Sequence, residues 1–331
     1  MKLRFRLGLA AAIVALGGPS LIATSHAADY RMLSSWDQNY PMRKLLVEPF
    51  IKAVADGTKG SVNIRLSGPE TVPPFEQLQP TGAGAFHFLF THGAYHFGTT
   101  PIATAVEAFS GGLAEWRKAG VREELSKHYN QFGLTLFGLA VSTPGAGYNI
   151  ILRSPVKPTG DLQGYKVRGT PTYGGVFKML GASPVELPPA EIYTSLEKGL
   201  VDGAAWPTFG IAPYRWNEVA KFLLRPAFGT TTQLFFANTA MWDKLSAADR
   251  DVVMKEVAKA EDLYTKLYNE VTAAEEKELV GKGMTVVQMG DAQKAKLGDA
   301  WSDGLWELTA QKNAKDVDVL RKFGVAKALA K

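Results

Sequence analysis

From Asp161 to Pro207 the chain alternates strand-like and helix-like segments, and this run restricts the available folds more than any other feature. Gly164-Tyr-Lys-Val-Arg168 reads as a short strand. A helix is expected from about Pro171, with Thr170 as its N-cap candidate and Gly181 as its terminator. A hydroxyl can satisfy the open N–H groups of a first turn, and glycine accepts the left-handed conformation that ends a helix. Val176, Phe177 and Leu180 supply the buried face. Pro188-Pro189 opens a second helix in which Ile192, Leu196 and Leu200 recur every four residues, and Val201 to Trp206 returns as a strand. A β-α-β-α-β order predicts an open parallel arrangement of strands. Such sheets present their ligand crevice at the C-terminal ends of the strands, where Arg168 stands. Its guanidinium stays charged at any physiological pH and matches a carboxylate with two parallel hydrogen bonds, so Arg168 is read as an acid-binding residue.

Residues 1–27 read as a targeting segment: Lys2, Arg4 and Arg6 form a positive start, Leu7 to Leu16 an apolar middle, and Ser25-His-Ala27 a small-x-small cleavage site. The apolar character lapses at Gly17-Gly-Pro-Ser20, short of the roughly 20 residues a spanning helix needs, so export without an anchor is expected. Cleavage would leave 304 residues (331 − 27), enough for two lobes. It would remove three of the 37 Lys and Arg and none of the 32 Asp and Glu, lowering the formal charge from +5 to +2 (34 − 32). A body so nearly balanced lacks the concentrated basic face of nucleic-acid binders, and no nucleic-acid partner is expected. With no cysteine, disulfides and lipid attachment at an N-terminal cysteine are both excluded, and stability must come from burial.

Elsewhere, Tyr30 to Leu33 reads as a strand, a helix begins at Pro41, Val62 to Leu66 alternates as a strand does, and Phe86 to Phe90 gives a further strand whose loop near Gly93 should reach the cleft. From Ser246 the pattern changes. Ser246-Ala-Ala-Asp249 resembles a capping box, and Val253, Val257, Ala260, Tyr264, Leu267 and Val271 follow at spacings of four and three. The pattern persists to about Leu279 and is ended by Gly281 and Gly283, a helix near 50 Å long at ~1.5 Å per residue that, taken alone, fits a two-lobe span, a bundle or a coiled coil equally. Two further helical patterns, Asp291 to Thr309 and Asp316 to Ala330, finish the chain.

The stretch from Asp161-Leu-Gln-Gly-Tyr-Lys-Val-Arg168 through Gly181-Ala-Ser-Pro-Val185 to Val201-Asp-Gly-Ala-Ala-Trp-Pro207 resembles the solute-binding subunits of tripartite ATP-independent periplasmic (TRAP) transporters, the DctP-like family. The resemblance extends over nearly the whole chain after residue 27. It implies an α/β, two-lobed periplasmic binding protein fold with open mixed sheets flanked by helices and one long helix spanning both lobes. It places residues 28–145 with 234–273 in lobe I and residues 146–233 with 274–331 in lobe II. It also implies periplasmic capture of an organic acid for a TRAP membrane permease, with Arg168 gripping the carboxylate as the lobes close.

The same resemblance marks Trp206 at a cleft position, within Gly203-Ala-Ala-Trp-Pro207 where relatives carry polar side chains. Here an indole would pack the ligand and donate one hydrogen bond. His92 and Tyr95 stand where sialic-acid-binding relatives place charges, and Ser35 and Trp36 occupy another cleft-facing place. His92 and Ser35 are expected to supply hydrogen bonds. Tyr173 and Gln233 are weaker candidates. The region of Tyr148 and Asn149 lacks the second arginine of several relatives. Neutral, ring-rich lining around one arginine favours a monocarboxylate, with aromatic and 2-oxo acids among the candidates, over a C4-dicarboxylate.

Two other classes compete. His87, His92 and His96 could belong to a metal-capturing protein, since imidazole suits zinc or copper, but no carboxylate lies between 87 and 104 to complete a site, and no metal site is assigned. A secreted enzyme has little support: there is no cysteine nucleophile, no Gly-x-Ser-x-Gly, no His-Glu-x-x-His and no phosphate loop, and no cofactor is expected. Glu191 complements a helix dipole more simply than it forms a catalytic pair.

Overall fold

The computed structural model describes residues 28–331, so the expected targeting segment 1–27 lies outside the described residues. In chain order the strands are β1 (Ala28–Ser34), β2 (Val62–Ser67), β3 (Phe88–Thr91), β4 (Leu134–Val141), β5 (Tyr148–Leu152), β6 (Lys166–Arg168), β7 (Ser183–Val185), β8 (Gly203–Pro207), β9 (Phe222–Phe228), β10 (Thr232–Asn238) and β11 (Thr285–Gln288). They form two sheets, ordered β2-β1-β3-β10-β4 and β11-β9-β5-β8-β6-β7. In the first, β1 runs parallel to β2 and β3, and β10 runs antiparallel to β3 and β4. In the second, β6 is parallel to β7 and β8, as the β-α-β-α-β pattern requires, but β5 runs antiparallel to β8 and β9. The parallel run is therefore one part of a mixed sheet.

Residues 142–147 and 229–231 carry the chain between the sheets side by side. Ser142 N donates to Thr231 O at 2.9 Å and Gly147 N to Gly229 O at 3.0 Å. Their approach needs glycine, because a Cβ on Gly147 would meet Thr231 N at 2.8 Å.

The helix Ala247–Gly281 begins as expected, with Ser246 Oγ accepting from Asp249 N at 3.0 Å. Its first part docks on the first sheet, where Leu139 N donates to Glu261 Oε1 at 2.8 Å and Thr265 Oγ1 donates to Val141 O at 2.8 Å. Its later part reaches the second, where Tyr268 donates to Gly147 O and Glu275 accepts from Gly210 N at 2.6 Å and Ala212 N at 2.8 Å. One helix thus spans both lobes.

The terminal helix Asp291–Ala326 bends at Asn313, whose φ and ψ of −155° and 81° break the helix between the two expected patterns. Asn313 Oδ1 accepts from Asp316 N at 3.1 Å and restarts it. Before the bend the helix packs on Gly174–Leu180, with Gly304 against Gly175, where an added Cβ would sit 2.6 Å from the opposing Cα. After the bend the chain packs on the segment between β3 and β4: Phe323 stacks on Phe109 at 6.4 Å, and Ser110 N donates to Leu329 O at 2.7 Å.

Several local expectations are modified. The helix after Pro41 passes through a wide π turn, Arg43–Val47, before the α-helix Glu48–Gly57. Thr170 occupies the N-cap position, but its hydroxyl makes no cap bond, and Pro171–Tyr173 is a 3₁₀ turn leading into Gly174–Leu180. Gly181 ends that helix at φ 71°. The next helix stops at Glu197, which leaves Leu200 61% exposed rather than buried with Ile192 and Leu196.

Candidate functional site

Arg168 ends β6, and its side chain is fully buried. Nε and Nη2 both donate to Leu187 O, at 2.9 and 2.7 Å, and Nη1 donates to Ala205 O at 3.2 Å. These main-chain bonds fix the plane of the guanidinium, which lies over the Trp206 ring at 5.4 Å. Burial lowers its pKa, opposed by Tyr95, Tyr173 and Glu186. Among the described residues no carboxylate comes within ion-pair distance. A buried cation without a counterion is costly, and an anion entering beside it gains a strong, little-screened attraction.

The open side of the guanidinium faces a cavity between the two sheets. Parallel strands β1, β3, β6 and β8 bring their C-terminal ends to it, and the oppositely directed β5 and β10 bring their starts. Trp36, His92, Tyr95, Thr231 and Gln233 line it from the first sheet and the connecting strands, and Tyr148, Arg168, Thr170, Tyr173, Trp206 and Pro207 from the second. The space is about 20 Å³, about one water's worth. Trp36 stacks on Tyr40 at 4.6 Å, and Trp206 packs edge-on against Trp216 at 4.9 Å. The Tyr95 hydroxyl is pushed up to about 12 by burial, against the pull of the Arg168 charge. Polar atoms on this lining lack partners: Trp36 Nε1, Trp206 Nε1, Thr231 Oγ1 and Gln233 Oε1. A larger cavity of about 630 Å³ between the connecting strands and the terminal helix, near Phe228, Trp301 and Trp306, has none of the unpartnered side-chain atoms on its lining.

Seven of the sequence-derived candidates, Arg168, Trp206, Tyr95, His92, Trp36, Tyr173 and Gln233, are thus brought together on one cavity. Ser35 is not. Its hydroxyl lies behind the lining, bonded to Gln77 Oε1 at 2.6 Å and Thr91 Oγ1 at 2.7 Å. His92 lines the cavity with its ring, but both nitrogens are engaged: Nδ1 accepts from Ala94 N at 3.1 Å, and Nε2 faces Glu107 Oε1 at 2.7 Å and Tyr148 Oη at 2.9 Å. An Nδ1 that accepts a main-chain N–H leaves the proton on Nε2, so His92 has no donor free for a ligand.

Glu107 is the residue that sequence reasoning missed. It is buried and accepts from His92, from Tyr148 at 3.0 Å, and from Thr232 N and Oγ1 at 2.8 and 2.9 Å. A lone acid in the apolar stretch Ala103-Thr-Ala-Val-Glu-Ala-Phe109 was its only signal. The histidines do not converge. His87 Nδ1 accepts from Arg31 N at 2.9 Å on a partly exposed edge, and His96 Nε2 bonds Thr91 Oγ1 at 2.8 Å in the core, where burial holds its pKa down at about 3. Among the described residues no cluster of three or more His, Asp or Glu is arranged to hold a metal ion.

The family model described as bacterial extracellular solute-binding protein, family 7 (DctP), matches residues 33–312. The chain belongs to this family. It is 27% identical over 231 residues to a monocarboxylate 2-oxoacid-binding periplasmic protein of a Nostoc species, a match covering 65% of this chain and 61% of that protein. It is 28% identical over 174 residues to a 2,3-diketo-L-gulonate-binding periplasmic protein of Escherichia coli, covering 51% and 52%. In these matches the family 7 chain spans about half the length of its curated relatives. A TRAP periplasmic solute-binding protein from Desulfovibrio salexigens, solved with bound orotic acid, shares the fold at a TM-score of 0.80 and 17% identity, covering 91% of this chain and 98% of that one. Members of the family are solute-binding proteins, and no helix among the described residues is long and apolar enough to cross a membrane.

Proposed function

We propose that this family 7 protein captures a small organic monocarboxylate in the periplasm and delivers it to a TRAP membrane permease. The observation that carries the reading is Arg168: a fully buried, main-chain-anchored guanidinium with no counterion, facing a cavity between two sheets. The names of its relatives, which include binders of 2-oxo monocarboxylates and of diketogulonate, support an acid as cargo. Arg168 is the sole Lys or Arg on the cavity lining, which favours one carboxylate over two. Trp36, Tyr95, Tyr173 and Trp206 would enclose the remainder of the molecule, and Gln233 would meet its polar edge.

An organic acid does not fit a space of about 20 Å³, so entry requires the sheets to part about the paired strands 142–147 and 229–231. In this reading residues 28–145 with 234–273 form one lobe and residues 146–233 with 274–331 the other, save that Thr232 and Gln233 already belong to β10 of the first sheet. The segment after Asn313 crosses back to brace the first lobe through Phe323 and Leu329.

Thermal-shift screening against organic acids tests the proposal. A monocarboxylate at a hundred times its Kd should add about 2.7 kcal/mol, a rise of roughly 5 °C in melting temperature. A response confined to dicarboxylates would contradict the single-clamp reading.

A further inference from the structure

The cavity beside Arg168 carries a donor and acceptor pattern more specific than an acid clamp. Trp36 Nε1 and Trp206 Nε1 are buried donors without acceptors, whereas Gln233 Oε1 is a buried carbonyl oxygen without a donor. Gln233 is fully buried on β10, and its Nε2 donates to the phenol oxygen of Tyr40 at 3.4 Å. Thr231 Oγ1, two residues earlier on the same lining, is also unpartnered and can accept or donate. Buried polar atoms are nearly always bonded, and a ligand that displaces water from such a set binds best when its polarity matches. The indole N–H groups and the guanidinium can share the lone pairs of a carboxylate, but a carboxylate offers nothing to Gln233 Oε1.

We infer that the ligand carries a hydrogen-bond donor, a hydroxyl or an N–H, close to its carboxylate, and that Gln233 selects for it. This rests on the acid-clamp reading above and narrows it. Gln233 and Arg168 line the same cavity from opposite sheets, so a small acid held between them meets both. A 2-oxo group would set one acceptor against another at Gln233 Oε1. Acids bearing a 2-hydroxyl or a ring N–H are therefore preferred to their oxo or hydrocarbon counterparts.

Calorimetric titration of the purified protein with matched pairs tests this: lactate against pyruvate, mandelate against phenylglyoxylate, and pyroglutamate against cyclopentanecarboxylate. In the pairs that bind, the donor-bearing acid is expected to bind at least about tenfold tighter, because a site built to bond a donor rejects the analogue lacking it. In Gln233→Leu, of similar size without the carbonyl, the ratio should fall to within about twofold while carboxylate binding persists. Equal or reversed affinities in the wild-type protein overturn the inference and leave the clamp standing. An unchanged ratio in Gln233→Leu overturns the assignment to Gln233. Failure of every acid to bind, with no thermal shift from the wider panel, overturns the clamp itself.

Discussion

Two buried charged side chains lie on opposite sides of the cleft, and they are treated in opposite ways. Glu107, on the first-sheet side, accepts from His92, Tyr148 and both donors of Thr232, and its main-chain oxygen accepts from Trp301 Nε1 at 3.0 Å. Arg168, on the second-sheet side, bonds only main-chain carbonyls, has no counterion, and neighbours unpartnered indole and amide atoms. A satisfied buried network stabilises the arrangement that holds it, whereas an unsatisfied one is stabilised only when something binds. The contrast separates the part of the cleft that joins the lobes from the part that, under the proposed function, receives cargo.

The largest expected effect is on binding. Arg168→Met should weaken monocarboxylate affinity at least about 100-fold by calorimetry, with little change in the melting temperature of the free protein. A Met variant that binds normally would remove the distinction between the two charges. Next comes Glu107→Leu, which leaves the donors of His92, Tyr148 and Thr232 without their acceptor. It should lower stability by about 3 kcal/mol in denaturant unfolding, and wild-type stability in this variant would show that the network carries no load. The smallest effect concerns Asn149, which pairs across strands with Trp206 and is fully buried with neither amide atom bonded. Asn149→Leu should raise the melting temperature of the free protein by about 2 °C, since an apolar side chain of similar size removes an unsatisfied amide. A lower melting temperature would place Asn149 with Glu107 among the structural groups.

Much of the cleft was legible from chain order, because strand ends could be located and the C-terminal ends of parallel strands meet at one edge. Arg168 was placed in that way, whereas Trp206, Trp36, His92 and Tyr95 were marked by the resemblance to the family. Ser35, marked by the same resemblance, stands behind the lining, because Gln77 and Thr91, distant in sequence, hold its hydroxyl. His92 keeps its place but not its expected role, since Glu107 and Tyr148 take its proton. Glu107 itself gave no periodic or motif signal. Its partners come from three separate segments.

Periodicity, caps and turn residues in the sequence determined the elements, their order, the long helix from Ser246, and the strand end on which a guanidinium would meet a ligand. These are local properties, set by the 3.6 and 2.0 residue repeats and by which residues tolerate a helix terminus. Tertiary structure alone decided which polar atoms are satisfied. That depends on contacts such as Glu107 with Thr232 and Gln233 with Tyr40, between residues far apart in the chain, whose distances no local pattern encodes.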